Sequence, residues 1–196
     1  MFQVRFHGRG GQGVVTAAEL LAAAAFSEDR HAQAFPSFGS ERMGAPVVSF
    51  CRIDDHEIRT REPVVAPDAL IVQDATLLHQ VSVFDGCKPD GYILINSSRT
   101  FDELGIGELA RSFRRERLLA VPAAQIAREH AGQAAANVAL LAGFAALTGL
   151  VTLDAVSRAI VERFAGPLAE GNLATARAAH DWVTAELTEA SGAASA

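Results

Sequence analysis

The sequence predicts an α/β fold of Rossmann-like type: a mostly parallel sheet with a β-hairpin element and a helical C-terminal part. Three observations predict it. A β-rich segment at residues 3–7 runs into a glycine-dense loop at 8–13, which opens an Ala/Leu-rich stretch, Val14–Phe26, with helical character. Short apolar runs bounded by turn residues recur at 69–73, Tyr92–Asn96 and Leu118–Val121, the pattern of strands buried on both faces. From Ala123 onward the chain reads as helix, with breaks near Gly149 and at Gly166-Pro167.

The remaining elements follow from local chemistry. Residues 31–35 read as a short second strand. A loop carrying Pro36, Ser37, Gly39, Ser40 and Gly44 comes next, and 47–53 is a clear β-rich strand. Asp54-Asp55 is a turn signal, so 56–61 is expected to return as the hairpin partner of 47–53. No internal repeat or linker divides the chain. Residues 1–190 are expected to form one domain, with a frayed tail at 191–196.

The bulk composition narrows the function. The chain has 196 residues, 49% hydrophobic and 20% charged, as in ordinary globular proteins rather than disordered ones. A net charge of -6 argues against nucleic acid as a partner, since a binder would show a basic face. Cys51 and Cys87 are far apart and in no C-x-x-C pattern, so they build neither a zinc site nor an iron–sulfur cluster. The N-terminus has no basic and apolar leader pattern, and a cytoplasmic location is expected. Residues 134–151 are nearly all apolar. However, they are Ala/Gly-rich, hold Asn137 and Thr148, and lack a flanking positive cluster, so a helix buried in protein is expected there and no membrane partner.

The glycine loop is the strongest chemical signal. Gly8, Gly10 and Gly13 satisfy G-x-G-x-x-G between a strand and a helix. Glycines permit a sharp turn and close backbone approach, and the helix N-terminus offers free N–H groups to an anion. Three readings stay open: a tight turn and nothing more, an anion or cofactor contact, or a nicotinamide site. The last needs an acid at the end of the second strand. Glu28 and Asp29 have the spacing but precede that strand.

Here a resemblance becomes specific. The run Arg5-Phe6-His7-Gly8-Arg9-Gly10-Gly11-Gln12-Gly13, followed by an Ala-rich helix, resembles the opening of the gamma subunit of 2-oxoacid:acceptor oxidoreductases, pyruvate:ferredoxin oxidoreductase and its relatives. A second signature is similar: Ser37-Phe38-Gly39-Ser40-Glu41-Arg42-Met43-Gly44-Ala45-Pro46, followed by a strand. Asn137 opening an apolar helix and the C-terminal "GNLATARAAHDW" match weaker features. The chain departs from the usual second signature at Ser40 and Met43. The resemblance covers residues 3 to about 183.

That resemblance implies a complex that converts a 2-oxoacid, with CoA, to acyl-CoA and CO2. Its thiamine diphosphate, Mg and iron–sulfur clusters would sit in alpha, beta and ferredoxin-like delta subunits. Electrons would pass to ferredoxin or, through an NAD-reducing flavoprotein subunit, to NAD. Pyruvate, 2-oxoglutarate, branched-chain and aryl substrates such as phenylglyoxylate all stay open. The gamma chain alone would be non-catalytic, with Gly8, Gly10, Gly11, Gln12, Gly13, Ser37, Glu41, Arg42 and Gly44 as its interface or ligand surface. Arg42 is the candidate for a CoA phosphate. Two alternatives carry weight from other classes: a free-standing Rossmann-like nucleotide-binding module, and a pure assembly protein of the same fold.

Other residues have plainer readings. Arg111, Arg114, Arg115 and Arg117 are expected on a solvated helix face. His7 precedes the glycine loop and is expected to be a hydrogen-bonded strand-end histidine rather than a ligand contact. Asp74, in "IVQDA", fits a ligand-facing strand end and a helix N-cap equally well.

Overall fold

The structure is a computed structural model that describes residues 1–37, 43–133 and 135–193. Its centre is a six-stranded sheet: β1 (Phe2–Arg9), β2 (His31–Pro36), β3 (Pro46–Asp54), β4 (Ala69–Val72), β5 (Tyr92–Asn96) and β6 (Leu118–Val121), in the order β2-β3-β1-β4-β5-β6. β1, β4, β5 and β6 are parallel. β3 runs antiparallel to β1 on one side and to β2 on the other. The α/β prediction and its antiparallel element therefore hold, but the hairpin is β2–β3. Residues 56–61 form no strand. Both edges of β3 are already taken by β1 and β2, so a returning strand has no free edge to pair with.

Six helices follow the strands: α1 (Val14–Phe26), α2 (Gly107–Ala110), α3 (Ala123–Ala131), α4 (Ala136–Thr148), α5 (Leu153–Arg163) and α6 (Gly166–Ala193). α6 continues to Ala193, inside the stretch expected to fray. One face of the sheet buries Val4, Phe6, Cys51, Ile53, Ile71 and Leu94 against the alanine-rich α1 and the apolar α4, with α5 and α6 behind them. Alanines let α1 approach the sheet closely, and its bounds match the sequence reading. The other face, over β4 to β6, buries Leu70, Val72, Ile93 and Ile95 under the segment that carries Leu77, Val83, Leu104 and Ile106.

The apolar 134–151 stretch becomes α4, which is buried nearly throughout. α3 ends at Gly132 with φ 69°, a break not expected from the sequence, and the two helices meet at 116°. No single helix is long and apolar enough to cross a membrane. The arginine run also differs from expectation. Only Gly107–Ala110 is α-helical there, and Arg115–Arg117 is a 3-10 turn. Arg117 stacks 4.6 Å over the Tyr92 ring and donates to the Asp90 carbonyl.

Thr152 anchors the helical part to the turn after α1. Its side chain accepts from the Ala155 N–H at 3.1 Å, and its own N–H and hydroxyl donate to Glu28. Thr152→Ala is expected to lower stability by about 1 kcal/mol, the typical cost of a lost N-cap, read as a lower urea midpoint at unchanged slope.

Candidate functional site

Chain order fixes where a site belongs. From β1 the chain crosses to β2 and β3 on one side, then returns to build β4, β5 and β6 on the other. The strand order thus reverses between β1 and β4, and open α/β sheets bind ligands at the carboxyl ends of strands at such a point. A cleft of about 530 Å³ lies there, lined by Gly11, Gln12, Gln73, Asp74, Ala75, Asn96, Ala124, Gln133, Ala135 and Ala136. Strand ends supply Gln73, Asp74 and Asn96, and three helix N-termini, of α1, α3 and α4, point toward the same side.

The glycine loop forms one wall. Gly8 lies within β1, where a Cβ would come 2.6 Å from Val14 Cγ2. Gly13 caps α1 with φ 72°, and a Cβ on it would meet the Asn137 amide at 2.5 Å. The glycine motif and the asparagine that opens α4 are therefore packed on each other. Gly11, at φ 92°, is backed by Met43. Gln12 is a staple: its Oε1 accepts from the Arg9 N–H and its Nε2 donates to Asp74 Oδ2, both at 2.8 Å.

The structure also brings the two sequence signatures together. Gly10 N–H donates to the Ala45 carbonyl at 2.9 Å, and Gly44 N–H donates to the Gly10 carbonyl at 3.1 Å. Arg9 completes the join. Its Nε donates to Asp74 Oδ2 and its Nη1 to the Gly44 carbonyl, both at 3.1 Å, and its Nη2 reaches Thr76 and Gln80. Ser37 follows β2, donates its N–H to the Val48 carbonyl and lies on a different cleft. Glu41 and Arg42 lie outside the described residues.

Electrostatics set what the cleft can do. Burial pushes the Asp74 carboxyl up, but hydrogen bonds from Thr76 and Gln12 and the Arg9 charge outweigh it and hold it below its usual range. It stays ionised as an anchor for Arg9 and Gln12 and as a helix N-cap, the second of the two readings made of it. Asn96 is committed: its Nδ2 donates to the Gln73 carbonyl, and its Oδ1 accepts from Ala124 N–H, capping α3. By contrast, α1 and α4 have no side-chain cap, and both amide atoms of Gln73, 3% exposed, lack a partner. Among the described residues, the cleft offers donors and a carboxamide but no nucleophile–base pair. Among the described residues, no three His, Cys, Asp or Glu converge to hold a metal. Cys51 is sealed in the core, and burial raises its thiol pKa.

Sequence reasoning missed Arg9, Gln73 and Asn96. Position was their only signal: Arg9 sits inside the glycine motif, and the others end apolar strands. The acids considered for a ribose are elsewhere. Glu28 binds Thr152 beyond the far end of α1, and Asp29 occupies the turn there with φ 59°. Neither reaches the cleft, which removes the ribose contact from the nicotinamide reading.

Comparison with known proteins agrees with this geometry. Residues 3–182 match the family described as pyruvate ferredoxin/flavodoxin oxidoreductase. The chain is 44% identical over 181 residues to pyruvate synthase subunit PorC of Methanocaldococcus jannaschii, covering 92% of this chain and 96% of that one. It is equally similar, 44% over 181 residues with the same coverage, to the pyruvate/ketoisovalerate oxidoreductases common subunit gamma of Pyrococcus abyssi. The crystal structure of pyruvate oxidoreductase subunit PORC from Thermotoga maritima superposes with a TM-score of 0.78 at 31% identity, over 92% of this chain and 95% of that one. With the glycine loop joined to Gly44 and Ala45 on one side and to Asn137 on the other, the chain belongs to the pyruvate ferredoxin/flavodoxin oxidoreductase family.

Proposed function

We propose that this chain is the gamma subunit of a multi-subunit 2-oxoacid oxidoreductase, and that its glycine loop and 37–46 loop together form a surface beside the active site that helps receive CoA. The complex carries out CoA-dependent oxidative decarboxylation of a 2-oxoacid to acyl-CoA and CO2, with ferredoxin or NAD as acceptor, in the cytoplasm. The observation that carries this reading is the pairing of Gly10 with Ala45 and Gly44 beside a cleft with the uncapped N-termini of α1 and α4. Such a surface binds and orients; it does not catalyse. Thiamine diphosphate, with Mg, supplies the carbanion chemistry and iron–sulfur clusters carry electrons, held by alpha, beta and ferredoxin-like delta subunits.

The gamma subunit of Pyrococcus abyssi is named as common to pyruvate and ketoisovalerate oxidoreductases. That fits a chain whose cleft presents backbone and amides rather than a side-chain pocket shaped to one 2-oxoacid. Substrate choice, phenylglyoxylate included, then belongs to the partners. A free-standing nucleotide-binding module is disfavoured because Glu28 and Asp29 are turned away from the cleft.

The test is reconstitution. The pure chain is expected to show no 2-oxoacid oxidation with CoA and a viologen dye, and to restore CoA-dependent turnover when added to alpha, beta and delta subunits. Turnover by the chain alone, or no gain on mixing, overturns the reading.

A further inference from the structure

On the face of β1 turned away from α1 and α4, two buried polar side chains lack what burial demands. Arg5, 7% exposed, donates to the carbonyls of Val64, Val83 and Asp85, yet its Nε has no partner and no carboxylate bonds it. His7, the next residue on that face, is 5% exposed, and neither ring nitrogen has a partner. The sequence reading of a hydrogen-bonded strand-end histidine is thereby corrected. Burial, with the Arg5 charge, lowers the His7 pKa to about 4, so the ring is neutral at physiological pH with one N–H and one lone pair unused. Across the strand pair, Arg52, 3% exposed, also donates only to neutral oxygens, those of Gln3, Thr60 and Glu62.

Among the described residues, neither of the two buried guanidiniums in this corner has a bonded counter-ion, in a chain of net charge -6. Buried charge is tolerated when it is paired. Above Arg5 and His7 lies a cleft of about 370 Å³ with apolar walls from Phe50, Val64 and Val65, the last 77% exposed. Among the described residues two acids act on these arginines through charge alone, Asp85 on the exposed rim on Arg5 and Glu62 on Arg52, neither with a side-chain hydrogen bond to them.

We propose that this cleft seats an acidic segment of a partner subunit, with an aliphatic side chain between Phe50 and Val65 and a carboxylate accepting from Arg5 Nε and the His7 ring N–H. The cationic floor and apolar walls complement such a segment. The site is separate from the switch-point cleft, and it rests on the chain being a subunit.

The test uses the full chain added to complex that lacks it, with binding followed by analytical ultracentrifugation. His7→Phe keeps the ring volume and removes the orphaned nitrogens. The variant is expected to unfold at the same or higher urea concentration, yet to bind the partners about tenfold or more weakly, the worth of one hydrogen bond to a charged group. Affinity equal to wild type overturns the proposal. Asp85→Asn, at an exposed side chain, removes the competing carboxylate and is expected to tighten assembly; unchanged or weaker assembly counts against it. Acetate titrated into the free chain is expected to leave the His7 ring resonances unmoved, and saturable binding would assign the site to a free carboxylate instead. Failure of the wild-type chain to assemble defeats the subunit reading itself, whereas failure confined to the variants' predictions defeats only this one.

Discussion

Gly13→Ala is expected to produce the largest loss of stability of any single methyl added to the site, about 2–6 kcal/mol. Two costs combine. Gly13 has φ 72°, a conformation that costs an L-residue about 1–3 kcal/mol. The new Cβ would also stand 2.5 Å from Asn137 Nδ2 and 3.2 Å from Cγ, and overpacking of a buried contact costs about 1–3 kcal/mol more. Asn137 is 7% exposed, so it has little room to give way. Gly44→Ala separates the two costs. Gly44 has φ 79° but nothing within 4 Å of a new Cβ, so only the backbone cost applies. Urea unfolding of both variants reads the difference. Equal losses would show that the contact between the glycine motif and α4 contributes nothing.

Arg9→Ala is expected to cost about 1.5–3 kcal/mol and to uncouple the two loops. The range is that of a hydrogen bond to a charged partner, here Asp74; the outer bonds to Thr76 and Gln80 are exposed and add little. The pH dependence follows from Asp74, whose carboxyl is held below its ordinary range in the fold. A depressed carboxylate contributes stability that is present above its unfolded pKa of about 3.9 and is lost as pH falls through the folded value. Removing Arg9 brings the folded pKa back toward the unfolded one. The gap between wild type and variant in urea unfolding is therefore expected to be full at neutral pH and to narrow as pH falls below about 4. In the reconstituted complex, the same variant is expected to raise the apparent KM for CoA, because Gly44 loses its tie to β1. A gap independent of pH would mean that Arg9 acts through packing of its stem.

Much of this was legible in the sequence, for physical reasons that differ by element. α1 and the strands β5 and β6 were read to the residue, because alanine density and apolar runs between turn residues report burial directly. The glycine motif was legible because strand, loop and helix follow each other locally. The hairpin partner was misplaced for the opposite reason. Asp54-Asp55 is a genuine turn signal, but pairing depends on which edges of β3 are free, and both are taken, by β2 just upstream and by the more distant β1. The arginines of 111–117 looked like a helix face because charge spacing is periodic by chance over so short a run. His7 and Gln73 were invisible as orphans, since alternation shows which way a side chain points and not whether a partner waits there.

The central place of β1 governs how the molecule comes into being. This strand precedes both of its sheet neighbours in the chain, Pro46–Asp54 and Ala69–Val72, which are made only later. Until they arrive, Phe6 and Val4 have no sheet to join, and Asp74 has not been made to receive Arg9 and Gln12. Parallel pairing across so many intervening residues is slow compared with helix formation, because the chain must close long loops before any contact rewards it. Until then the Phe2–Arg9 segment waits with both edges unpaired, open to capture by other chains. The glycine loop gains its partners only when Asp74 and then Asn137 have followed it, so this wall of the cleft is set late.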